Sequence, residues 1–133
     1  MPKAVDIKAE LAKLPVLHGR TPTTPKTESG KAFATVAPFR GEGLTVGSFD
    51  GQSAWERHRN GDEIVQIIAG ETSLTILTAA GPDVLNLKAG MLAVVPQSCW
   101  HRFDAPEGVS VLTVTPGPTD HSTAEDPRLE EAG

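Results

Sequence analysis

The chain has 133 residues, of which 38% are hydrophobic and 22% charged, which suits one domain with a single core. Its net charge of −5 argues against nucleic acid as a partner, because phosphate binding needs a basic surface. No apolar run is long enough to cross a bilayer, no charged-then-apolar leader is visible, and the lone Cys99 excludes an intrachain disulfide framework; the expectation is a cytoplasmic protein with no membrane partner.

The first predicted element is a helix within residues 1–17. Asp6 can cap it, Ile7, Leu11 and Leu14 recur at helical spacing, and Pro15 stops it. It reads as a brace on the outside of the main fold. Residues 19–31 are rich in Thr, Pro, Ser and Gly and read as an extended crossing segment, with His18 a surface residue at its edge. Strand signals follow at 33–39, 44–49, 54–58, 63–69, 72–77, 84–87, 91–95, 99–103 and 109–115. Turn formers separate them, including Asp50-Gly51, Asn60-Gly61, Ala89-Gly90 and Pro106-Glu107-Gly108. Short strands at this spacing, with no helices between them, predict one antiparallel sandwich or barrel. Residues 116–133 are rich in Pro, Thr, Asp and Glu and are expected to form a flexible tail, with His121 incidental. The chain thus divides into helix and arm (1–32), barrel (33–115) and tail (116–133).

Chemistry concentrates in residues 55–70. Side chains of a strand alternate between faces, so Glu56 and His58 point one way and Arg57 the other. The turn at Asn60-Gly61-Asp62 lets the next strand fold back and brings Glu63 to the face of Glu56 and His58. Two carboxylates and an imidazole on one face form the donor set of a divalent-metal site. Val65, Ile67 and Phe103 would keep its surroundings partly dry. Trp55 and Trp100 fall on the opposite parity and are expected outside the cavity or at a subunit contact, whereas Cys99 shares the parity of His101 and can wall the cavity.

A second stretch, residues 90–101, begins at Gly90, runs five residues to Pro96, and reaches His101 after a short turn. Together the two stretches resemble the paired motifs of the cupin superfamily, G-x5-H-x-H-x3,4-E-x6-G and G-x5-P-x-G-x2-H-x3-N. His58, Glu63 and Gly70 match the first, and Gly90, Pro96 and His101 match the second. Four positions depart: Glu56 stands at the earlier histidine, Ser98 at a glycine, Ala105 at the terminal asparagine, and Gly51 lies one residue off the leading glycine.

The resemblance, over residues 33–115, implies an all-β fold, a single cupin-type jelly-roll barrel with a short N-terminal helix. It implies one divalent metal ion (Fe, Mn, Ni or Zn) held by Glu56, His58, Glu63 and His101. Glu56 is open to three roles: a ligand, a general base, or a partner of Arg57 or Arg102 at the rim. The expected function is binding of a small oxygen-bearing molecule, as a metal-dependent enzyme of dioxygenase, isomerase or lyase type. The alternatives are a non-catalytic binding module for a sugar or organic acid, or a purely structural site. Cupins also frequently dimerise, and the outward Ile64 and Ile68 give this chain a local reason to do so.

Overall fold

A computed structural model describes residues 2–131. In chain order the elements are α1 (Ile7–Ala12), β1 (Leu17–Arg20), α2 (Lys26–Ala32), β2 (Phe33–Phe39), β3 (Glu42–Gln52), β4 (Trp55–His58), β5 (Glu63–Thr78), β6 (Gly81–Lys88), β7 (Leu92–Val95), β8 (His101–Thr115), β9 (Thr119–Ser122) and α3 (Arg128–Glu131). The strands form one curled sheet. β3 lies between β2 and β8, β8 runs on to β5, and β5 carries β6 and β7 at its two ends. Every pairing is antiparallel except that of β1 with β3. The architecture is the expected all-β barrel with a short N-terminal helix.

Period-two alternation builds the core. Val65 and Ile67 of β5 and Phe103 and Ala105 of β8 point inward, joined by Phe49, Leu74, Ile76, Val95, Val109 and Val111. Each fully buried side chain of this size contributes about 1.5–3 kcal/mol. β5 is one long strand where the sequence pattern suggests two. The register shifts on either side of Gly70, and the buried positions change from odd numbers to even ones across it. Gly70 has φ +73, and a Cβ there would lie 2.3 Å from the carbonyl oxygen of Gly108, so only glycine lets the two backbones approach this closely. Its opposite number, Pro106-Glu107-Gly108, reads as a turn in the sequence but continues β8.

The two ends of the chain are more ordered than their composition suggests. α1 begins as expected, with Asp6 accepting the Ala9 N–H at 3.0 Å, and lies against β3 without a buried residue. The arm, expected to be extended throughout, contains β1 and α2. Glu28 in the first turn of α2 and Lys31 in its last suit the helix dipole. Residues 119–122, expected in a flexible tail, form β9 and pair along the whole of β4. A four-residue strand such as β4 has an open edge, and β9 satisfies its backbone groups.

Candidate metal centre

Cross-strand register assembles the site at one end of the barrel. Glu56 on β4 stands opposite His101 of β8 on one side and His121 of β9 on the other. Residues directly opposite share a face, so the three lie in one row on the inner side. His58, two residues further, shares that face. Glu63 opens β5 and heads the inward row that continues through Val65 and Ile67. The loop after β7 ties down the end of β4: Ser98 N–H donates to the His58 carbonyl at 2.9 Å, and Gln97 N–H donates to the Asp62 carboxylate at 2.8 Å.

One ligand atom from each of Glu56, His58 and His101 lies within 4.8 Å of the others. Glu63 sits between the imidazoles, with Oε2 3.2 Å from His58 Nε2 and Oε1 3.1 Å from His101 Nε2. These contacts are short but not aligned as hydrogen bonds. Both Nε2 atoms and Glu63 Oε1 are buried, and none has a hydrogen-bond partner among the described residues. Buried polar atoms left unpaired cost about 1–3 kcal/mol each, so three of them facing one another call for a shared partner. Two ligand atoms each about 2.1 Å from one metal ion at right angles stand roughly 3 Å apart. The observed separations, and the imidazole–carboxylate donor set, therefore fit a first-row divalent ion.

Other groups aim these donors. His101 Nδ1 lies 3.0 Å from the Cys99 carbonyl oxygen, which can only accept, so Nδ1 carries a proton and the neutral ring directs its lone pair from Nε2 towards the centre. His58 Nδ1 lies 3.0 Å from Thr119 Oγ1 on β9, a hydroxyl that can donate or accept, and this contact sets the orientation of that ring. Thr115 Oγ1 donates to Glu63 Oε2 at 2.6 Å. Burial pushes the Glu63 carboxyl up, but the adjacent His101 and His58 outweigh it and hold the group down to about 2. Burial pushes His101 down, while Glu63 on balance draws it above the ordinary imidazole value.

Beside the donors a cavity of about 330 Å³ opens outward, bounded on its apolar side by Phe33, Phe49, Phe103 and Val111 and on its polar side by Glu56, Glu63, Arg20, Lys26 and His121. Arg20 comes from β1 and its side chain is 14% exposed. The guanidinium packs over the Phe49 and Phe33 rings, 4.6 and 5.5 Å from their centroids, and stands 3.8 Å from Glu56 Oε1. Burial lowers its pKa, partly offset by Glu56.

The structure thus gathers the ligand atoms of Glu56, His58 and His101, and sets Glu63 against both imidazoles. The arginine facing Glu56 is Arg20, not Arg57 or Arg102, which stack outside the barrel on Trp100 and Trp55. Those tryptophans form a separate buried cluster with Leu77. Cys99 is half-buried and packs against the main core. His121, read as incidental, faces the cavity. Arg20, Thr115 and Thr119 carry no motif; a lone arginine among Thr and Pro, or a threonine beside a proline, gives no periodic signal. No described helix is long and apolar enough to cross a membrane.

No protein-family model matches the chain, and no curated protein sequence matches it. Solved structures do. A cupin-2 domain protein from Shewanella frigidimarina superposes with a TM-score of 0.65 at 15% identity, over 85% of this chain and 94% of that one. A hydroquinone 1,2-dioxygenase, solved with Cd2+ and 4-hydroxybenzonitrile, superposes with a TM-score of 0.55 at 20% identity, over 63% of each chain. Bacillus subtilis oxalate decarboxylase, which has Mn(II) centres, gives 0.54 at 15% identity, over 74% of this chain and 26% of its own. At these identities the likeness establishes the cupin fold.

Proposed function

We propose that the protein binds one divalent transition-metal ion through Glu56, His58, Glu63 and His101, and uses the centre to act on a small oxygen-bearing molecule held in the adjoining cavity. The observation that carries this reading is the set of buried, unpaired donor atoms on His58, His101 and Glu63, 3.1–3.2 Å apart. The metal-containing dioxygenase and decarboxylase that share the fold support it. When bound, a divalent ion would act as a Lewis acid towards an oxygen donor of the ligand. Glu56 and Glu63 together balance its two positive charges, so the ion would be a milder acid than one held mainly by neutral imidazoles. The phenylalanines and Val111 exclude water from one side of the ligand, and the cavity mouth admits it from the other.

The test is metal analysis of tag-free protein purified without chelator, followed by reconstitution with Fe(II), Mn(II), Ni(II) and Zn(II). One equivalent of metal, lost in His58→Ala, is the expected result. Absence of stoichiometric uptake of every ion would overturn the reading. Turnover of oxygenase, isomerase or lyase substrates that requires that metal would place the protein among enzymes, and tight binding without turnover among binding modules.

The barrel's outer face supports a homodimer. Leu44, Val114, Ile64 and Val94 line up across β3, β8, β5 and β7, and Ile64 and Val94 are 40% and 51% exposed. Sedimentation at micromolar concentration should show a dimer that Ile64→Lys converts to monomer.

A further inference from the structure

The N-terminal strand places a cation where neither the fold nor the metal donors require one. Arg20 presents its guanidinium to the cavity, and no described side chain accepts a hydrogen bond from it; Glu56 Oε1, at 3.8 Å, is its sole ion-pair partner among the described residues. A guanidinium with 14% of its side chain exposed has lost much of its hydration, and its packing over the Phe49 and Phe33 rings does not use its N–H donors. Lys26, from α2, lines the same cavity.

Charge balance sharpens the point. The carboxylates lining this cavity are Glu56 and Glu63. If both serve the metal, the dication and two carboxylates sum to zero, and the buried positive charge of Arg20 is left without a counter-charge in a partly apolar cavity, with the exposed Lys26 adding to it at the mouth. From this juxtaposition, and resting on the proposed metal centre, we infer that the ligand is a small organic acid whose carboxylate is held by the Arg20 fork beside Glu56. Five N–H donors in a rigid plane match a carboxylate with two parallel hydrogen bonds. Phe33, Phe103 and Val111 suit a short apolar body attached to that carboxylate. Arg20 then selects the ligand and orients it, and Glu56 exchanges an ion pair with Arg20 for the metal.

Benzoate, butyrate and 2-hydroxybutyrate, their amides, and inorganic phosphate serve as calorimetric probes of Mn(II)-loaded protein. At least one carboxylate should bind tenfold or more tightly than its amide. Arg20→Gln should erase that preference with Mn(II) content unchanged, and Arg20→Lys should keep part of it. Equal affinity for acid and amide in the unmodified protein, or a preference that survives in folded Arg20→Gln, overturns the inference. Phosphate binding more tightly than every carboxylate overturns the ligand class. Glu56→Gln protein stripped of metal separates this proposal from the metal assignment. It frees Arg20 without any ion, so it should bind a carboxylate in preference to its amide even if the native chain takes up no metal. Failure there overturns the Arg20 site by itself.

Discussion

The site has an inner and an outer half, and they are built on different principles. The inner half is part of the barrel's own alternation: Glu63 continues into Val65 and Ile67, and His101 into Phe103 and Ala105, so the donor side chains are end members of core rows. The outer half is brought in by segments that lie against the barrel: Arg20 on β1, Lys26 on α2, and Thr119 and His121 on β9. The inner half is held by burial on all sides, and its geometry follows from register. The outer half hangs on a few edge pairings and could change without altering the core. Loss of an inner residue should therefore cost most of the metal affinity, while loss of an outer one should leave a metal-binding centre and change how a donor or the ligand is held.

The largest effect is expected for His101→Ala. It removes an Nε2 donor from the centre and leaves Glu63 buried with one imidazole neighbour. Metal affinity should fall by more than the roughly 10–100-fold that a lost supporting hydrogen bond costs. The β3–β8 and β5–β8 backbone ladders do not involve the side chain, so circular dichroism should remain that of a folded β-protein. Equal metal content in variant and parent would remove His101 from the centre.

The same division decides what the sequence can show. Glu56, His58 and Glu63 stand on strands whose alternation is visible, and the turn between them is spelled out by Asn60-Gly61. Arg20 and Thr119 sit in Thr- and Pro-rich segments whose order comes from docking onto an existing sheet, which local propensity does not encode. The bulge at Gly70 is legible only as a break, because a strand that bends and a strand that ends leave the same glycine.

Gly51→Ala tests whether the outer half depends on close docking. β1 pairs in parallel with β3, with Arg20 opposite Gly51, where φ is +102 and a Cβ would lie 2.2 Å from the Arg20 carbonyl oxygen. Strain at such a φ costs about 1–3 kcal/mol, and the clash would push β1 away. Stability should drop by at least that amount in chemical denaturation, and the carboxylate preference assigned to Arg20 should weaken while metal uptake survives. Acid should loosen the same junction. The Gly19 N–H and His18 hold the Asp50 carboxyl below its ordinary value. A depressed folded pKa means that the stabilisation is present above the unfolded value of about 3.9 and is lost as pH falls through the lower folded one. Hydrogen exchange of the β1 amides should accelerate across that window before the β5 and β8 amides respond.

Thr119→Val probes the outer half's hold on the inner one. It keeps the shape of the side chain and removes the hydroxyl 3.0 Å from His58 Nδ1. Metal affinity should fall roughly 10–100-fold, and Thr119→Ser should restore it. An unchanged affinity would show that the barrel alone orients His58.

The smallest effect concerns Ser98, which stands where the cupin motif has a glycine. Its φ is +65, a left-handed conformation that costs a residue bearing a Cβ about 1–2 kcal/mol. The position is forced, because the turn must deliver the Ser98 N–H to the His58 carbonyl and the Cys99 N–H to the Pro96 carbonyl before β8 begins. Both bonds use backbone donors, so Ser98→Gly keeps them and removes the strain. Glycine adds freedom to the unfolded chain worth about 0.5–1 kcal/mol, which offsets part of the gain. The net expectation is stabilisation of about 0.5–1 kcal/mol, a rise of a few degrees in Tm. Metal affinity should not move, since His58 and His101 keep the same anchors. A fall in Tm would mean that the Ser98 side chain contributes more than its strain costs, and that the departure from the motif is itself a local adaptation of this turn.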